Sequence, residues 1–228
     1  MLIKEACLEN YTLLSRAISC GANRIELCDN LSCGGTTVSK GVMAESLKYA
    51  HEKKVPVTVL IRPRGGDFVY NDAEIKIMES DIFTAQSLGA DTIAIGALDS
   101  NGRLDFEAME NLAQAAFGMQ LELHMAFDSL DFEEQKKAID WAVSSGFDRI
   151  LTHGGPLEVP IGETVPHLKE LISYADHRIE ILPGGGITFE NCEQIAEELG
   201  VKSVHGTKIV NLMHDCLLYT SPSPRDRG

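Results

Sequence analysis

The feature that most constrains this chain is an alternation. Eight short β-branched runs alternate with seven longer segments of helical apolar spacing before residue 210. The pattern predicts strands over Leu2 to Ala6, Arg24 to Leu27, Pro56 to Ile61, Thr92 to Ile95, Gln120 to Met125, Arg149 to Thr152, Arg178 to Leu182 and Ser203 to His205. Between them it predicts helices over Tyr11 to Ser19, Ala44 to Lys53, Asp72 to Leu88, Phe106 to Ala116, Phe132 to Ser145, Thr164 to Tyr174 and Asn191 to Leu199. Gly21, Gly89, Gly146 and Gly200 follow helical segments where a left-handed cap is wanted. Eight β-then-α units in this length point to a parallel α/β TIM-type barrel, (β/α)8, with an open doubly wound sheet as runner-up. A dinucleotide-binding sheet would need a glycine-rich turn after the first strand, and "IKEACLEN" has none.

The chain of 228 residues fits one such domain, expected over residues 1–210. Beyond "VHGTKIV" the composition changes to "CLLYTSPSPRDRG", without helical or strand period. Residues 211–228 are therefore expected to be a non-native or disordered tail, the run Cys216 to Asp226 resembling translated adapter sequence, and the eighth helix is expected to be missing or irregular. Cys216, Arg225 and Arg227 are left out of functional reasoning.

A formal net charge of -14 argues against nucleic acid or an anionic membrane surface as partner. No run of 18 apolar residues and no basic leader occur, so the sequence is read as cytoplasmic. Its six cysteines lack the dense, even spacing of a disulfide scaffold.

In a barrel, reactive groups gather where strands end. Those positions hold Glu5 and Cys7, Glu26 and Cys28, Arg62, Arg64 and Asp67, Asp99, His124 and Asp128, His153, Gly184 to Gly186, and His205 with Lys208. The stretch "VTVLIRPRGGDFVY" runs off a buried strand into two arginines, two glycines and an aspartate. Inward carboxylates need compensating cations, and Arg62 and Arg64 are the expected partners of Glu5, Glu26 and Asp128. Pro63 should send the two arginines in different directions, with Asp67 folding back onto one of them. Gly184 and Gly185 in "PGGGIT", with Thr207 and Lys208, have the make-up of an anion site. "KEAC" and "IELC" repeat Glu-x-Cys at the ends of adjacent parallel strands about 4.8 Å apart, close enough for Cys7 and Cys28 to suit Cu(I), with Cys33 a weaker third ligand. A buried small hydrophobe is the plainer reading of each cysteine, and a hydrogen-bonded core residue that of His124.

Taken together, "RIELCDN", "GGTTVSKGVM", "IRPRGGDFVYND", "HMAFD", "RILTHG" and "PGGGIT", in this order and spacing, closely resemble the CutC family of copper homeostasis proteins, from Leu2 to about Val210. The resemblance implies a cytoplasmic, self-associating TIM-type barrel linked to copper, with Cys7 and Cys28 matching the family's copper-binding cysteines. It also implies shared mouth positions at Glu5, Glu26, Arg62, Arg64, Asp67, His124 and Asp128. Two functions follow as expectations. One is a copper homeostasis protein binding Cu(I). The other is a barrel enzyme on a small anionic or polyol substrate, with Arg62 and Arg64 holding the anion and His124 with Asp128, or Glu26, as acid and base. A pure carrier has no need of Arg-Pro-Arg and three glycines beside its thiolates, since cations repel copper.

Overall fold

Parallel strands β1 (Ile3–Glu9), β2 (Arg24–Cys28), β3 (Val57–Leu60), β4 (Thr92–Ile95), β5 (Gln120–Leu123), β6 (Arg149–Thr152), β7 (Glu180–Pro183) and β8 (Ser203–Gly206) follow one another around a (β/α)8 barrel. The computed structural model describes residues 1–213; the rest of the predicted tail, with Cys216, Arg225 and Arg227, lies outside the described residues. From β1 to β7 each strand hydrogen-bonds to the next, and β8 pairs with β1, Glu5 standing opposite His205. Between β7 and β8 the seam is joined just beyond the strands, by a parallel bridge between Thr188 and Lys208.

Among the described residues seven α-helices pack outside: α1 (Leu14–Ser19), α2 (Lys40–Glu52), α3 (Asp72–Leu88), α4 (Phe106–Ala115), α5 (Phe132–Ser144), α6 (Ile161–Ala175) and α7 (Cys192–Leu199). Among the described residues no helix follows β8. The sequence pattern locates α3 to the residue because both of its ends are chemically marked. Asn71 accepts from the Ala73 and Glu74 N–H groups while Glu74 accepts from the Asn71 N–H, and Gly89 closes the helix at φ +84°. Helix α2 starts at Lys40, earlier than the apolar spacing suggests, because the Ser39 hydroxyl caps the Val42 N–H.

Strand residues alternate between two environments. Outward side chains such as Leu8, Ile25, Leu27, Val59, Ile93, Leu123 and Ile150 join the helices in the main apolar core. Inward positions carry charge: Glu5, Arg24, Glu26, Glu122, Arg149 and His205 are all buried. Branched aliphatics usually fill a barrel of this kind. Here they are displaced to a thin layer near the mouth, where Cys7, Cys28, Leu60 and Ala94 form a second, smaller cluster.

Candidate functional site

The inward charges pair with one another. Arg24 donates to Glu5 through Nε, and the other Glu5 oxygen lies 2.8 Å from His205 Nδ1. His205 Nε2 in turn lies 3.6 Å from Glu26. Burial alone would raise the Glu5 pKa, but the His205 hydrogen bond and the Arg24 charge outweigh it and hold the carboxyl at about 2. Burial opposes a charged imidazole as well, yet Glu26 and Glu5 raise His205 to about 9. Glu26 is pushed upward, chiefly by burial and then by Glu5, against the pull of His205. Across the barrel, Glu122 is raised well above the carboxylate range by burial and by the negative charges of Glu5 and Glu26. Arg149 Nη1 approaches it only to 3.5 Å, and neither Glu122 oxygen has a hydrogen-bond partner among the described residues.

These partners correct the expectation that Arg62 and Arg64 compensate Glu5, Glu26 and Asp128. The compensating cations are Arg24 and Arg149, which begin strands β2 and β6, together with His205. Pro63 does separate its neighbours. Arg62 turns in, is buried, and donates to the carbonyls of Cys33, Gly35 and Gly66, with its guanidinium 4.7 Å from the centre of the Phe68 ring. Arg64 turns out to Glu74 at the start of α3 and to Asp67, 3.0 Å away. Those contacts hold the Asp67 and Glu74 carboxyls below their ordinary range.

Above the charged layer opens a cavity of about 400 Å³. Of the predicted site residues, Cys7, Glu26, Cys28, Arg62, His124, Gly185, His205 and Lys208 line it. Glu5, Arg64, Asp67, Asp128 and Gly184 are not in its lining. Asp128 accepts instead from the Thr152 hydroxyl and the His153 and Gly154 N–H groups, so it fixes the loop after β6 and does not pair with His124. Gly184 is small because Leu151 and His205 approach it: an added Cβ would meet Leu151 Cδ1 at 2.7 Å and His205 Cδ2 at 3.2 Å. His153 reaches the carbonyls of Gly184 and Gly185 through Nδ1 and that of Val159 through Nε2, tying the loops after β6 and β7 together.

The sulfurs of Cys7 and Cys28 are 3.8 Å apart and both residues are buried. The hydrogen bond between them, then burial, then the Glu26 charge raise the Cys7 thiol well above its ordinary pKa. Cys33 does not join them; its thiol donates to the Asn30 carbonyl. Ligand atoms of Cys7, Glu26 and His205 all lie within 4.8 Å of one another, so the nearest additional donors are oxygen and nitrogen.

Sequence reasoning passed over Leu60, Phe68, Leu151 and Leu157, which give the cavity its apolar walls, and Gly96 behind it. A Cβ at Gly96 would lie 2.5 Å from His124 Cε1, so the imidazole stands where it does only because residue 96 lacks one. A glycine directly after β4, where the chain has no turn to make, was the available signal.

Fold and site thus define a parallel (β/α)8 barrel with a buried dithiol and a small cavity at the C-terminal mouth of its strands. Residues 2–210 match the model of the CutC family, and the chain belongs to that family. A CutC protein of Enterococcus faecalis is 57% identical over 209 residues, covering 92% of this chain and all of that one. A human relative named as a copper homeostasis protein cutC homolog is 39% identical over 203 residues, covering 89% of this chain and 72% of its own length. The crystal structure of a CutC protein from Streptococcus agalactiae superimposes with TM-score 0.89 at 50% identity, over 92% of this chain and 100% of that one. A deoxyribose phosphate aldolase from Aeropyrum pernix, at TM-score 0.65 and 12% identity over 90% of this chain and 86% of its own, shares the fold alone.

Proposed function

We propose that this chain serves copper homeostasis by binding Cu(I) between Cys7 and Cys28. The observation that carries the reading is the buried sulfur pair at 3.8 Å. Two metal–thiolate bonds of about 2.3 Å span up to about 4.6 Å, so one ion can bridge these sulfurs without backbone movement. Soft thiolates select Cu(I), and Glu26 beside Cys7 adds negative potential for a cation. A cytoplasmic location agrees with the free thiols at Cys7, Cys20, Cys28, Cys33 and Cys192, and no described helix is long and apolar enough to cross a membrane. Self-association is part of the same proposal, supported by the exposed rings of Phe83 and Phe117. In a competition titration against a Cu(I) chelator, Cys7→Ser with Cys28→Ser should abolish binding. Unchanged affinity refutes the assignment.

The cavity favours a second reading, a barrel enzyme acting on a small molecule. A bound ion has no use for about 400 Å³ of space walled by leucines and Phe68. In this reading Glu26, with its raised pKa and its contact to His205, handles the proton, and Arg62 supplies positive charge to an anionic or polyol substrate.

A further inference from the structure

The predicted acid–base role of His124 can be tested against its surroundings. The ring is buried, tilted against Phe68 at 5.1 Å between centroids, and backed by Gly96. Its Nδ1 accepts a hydrogen bond of 3.1 Å from the Ala126 N–H. An accepting Nδ1 carries no proton, so in the neutral ring the proton sits on Nε2. Burial, then the Arg62 charge, hold the ring neutral by lowering its pKa to about 3. Nε2 is buried and has no hydrogen-bond partner among the described residues, although His124 lines the cavity. His124 therefore presents a fixed N–H donor and no base.

A buried unpaired donor is unfavourable, which a ligand bearing an acceptor would relieve and a ligand bearing only donors would not. Arg62 also packs on Phe68, with Nη1 and Nη2 donating to carbonyls and its buried Nε unpaired among the described residues, so it brings positive charge and a second free N–H to the site. Leu31, Leu60, Leu151 and Leu157 give the lining an apolar majority, and Thr188, Thr207 and Lys208 are polar members of it. A polyol or a free phosphate, polar on every side, would leave part of its surface against these leucines.

We infer that the cavity binds a small organic molecule carrying an acceptor oxygen, a carboxylate or carbonyl, on an apolar body, and that His124 Nε2–H receives that oxygen. The inference rests on the reading of the cavity as a small-molecule site and narrows its substrate class. His124 then acts as an electrophilic donor in a cavity that Glu26 and His205 also line.

The test uses NMR of the full chain with three probes: 4-methylpentanoate, its amine counterpart 4-methylpentylamine, and inorganic phosphate. In the free protein, two-bond imidazole correlations should show the Nε2–H tautomer of His124; a proton on Nδ1 overturns the inference with no ligand needed. At millimolar concentration 4-methylpentanoate should shift the His124 Nε2–H resonance saturably, and the other two should not. His124→Phe, which keeps an aromatic ring against Phe68, should weaken that binding about tenfold, the equivalent of one hydrogen bond, while leaving Cu(I) affinity unchanged. Saturation by phosphate or the amine instead, or carboxylate binding that leaves His124 unmoved, defeats the inference but keeps the cavity as a small-molecule site. If none of the probes shifts any cavity residue, both fall.

Discussion

Two glutamates in one barrel should respond in opposite ways to the same substitution. Glu5 and Glu122 are both wholly buried and both lie among Arg24, Arg149 and His205. Glu5 is an anion with two charged donors on it, and an amide offers those donors one oxygen and turns an N–H toward the second. Removing one member of such a buried pair typically costs about 3–5 kcal/mol. Glu122, pushed well above its ordinary value by burial, makes no hydrogen bond among the described residues, so the amide replaces a group of the same shape that no donor holds. Glu122→Gln should therefore change stability by about 1 kcal/mol or less. With a urea slope of about 2–3 kcal/mol/M, Glu5→Gln should lower the unfolding midpoint by roughly 1 M or more, and Glu122→Gln by a few tenths. Equal midpoint shifts for the two variants would refute the assignment of the barrel's charges.

Other perturbations follow from the same contacts. Arg62→Ala should lower the urea midpoint strongly, since it strips the carbonyls of Cys33, Gly35 and Gly66 of a buried donor, whereas Arg64→Ala should leave the midpoint near that of the parent. Comparable losses would show that the two arginines have been assigned to the wrong sides of Pro63. Stability should also carry two pH limbs. His205 is raised from 6.5 to about 9, so its contribution is complete below 6.5 and is lost as pH rises through 9. Glu5, lowered from 4.5 to about 2, contributes above 4.5 and is lost as pH falls toward 2; His124, lowered to about 3, adds to that acid limb from 6.5 downward. Urea midpoints measured across pH should lose the alkaline limb in His205→Gln, and persistence of that limb would refute its origin.

Much of the architecture was legible because the marks that end elements are local. The predicted bounds of β4, β6 and α3 coincide with the structure, and Gly89, Gly146 and Gly200 all adopt positive φ. The site was legible by residue type and less so by partner. Glu5, Glu26 and His205 stand out as strand-end charges, but which cation serves which carboxylate depends on register. Glu5 faces Arg24 across the ladder on one side and His205 on the other. Arg24 looked unremarkable at the start of its strand, and Arg62 looked like the obvious ion partner. Neither impression could be corrected without the pairing. Strand β1 also runs on to Glu9, past its predicted end, which carries Cys7 within the ladder and into the barrel beside Glu26.

That placement decides how the two functional readings relate. Cys7 and Cys28 belong to the small apolar cluster with Leu60 and Ala94, directly above the charged layer, whereas His124 and Arg62 belong to the wall around Phe68. Leu60 lies between these groups in the sense that matters, since it packs with the sulfurs and lines the cavity. A copper ion held by the sulfurs would change the potential felt by Glu26, which contacts Cys7, and would leave the His124–Ala126 hydrogen bond untouched. The readings are therefore separable by residue. Cys28→Ser should weaken Cu(I) binding and spare the His124 tautomer, and His124→Phe should spare Cu(I) binding and weaken that of 4-methylpentanoate. A variant that impaired both would mean that the sulfurs and the imidazole serve one ligand, with the dithiol as part of an organic-substrate site.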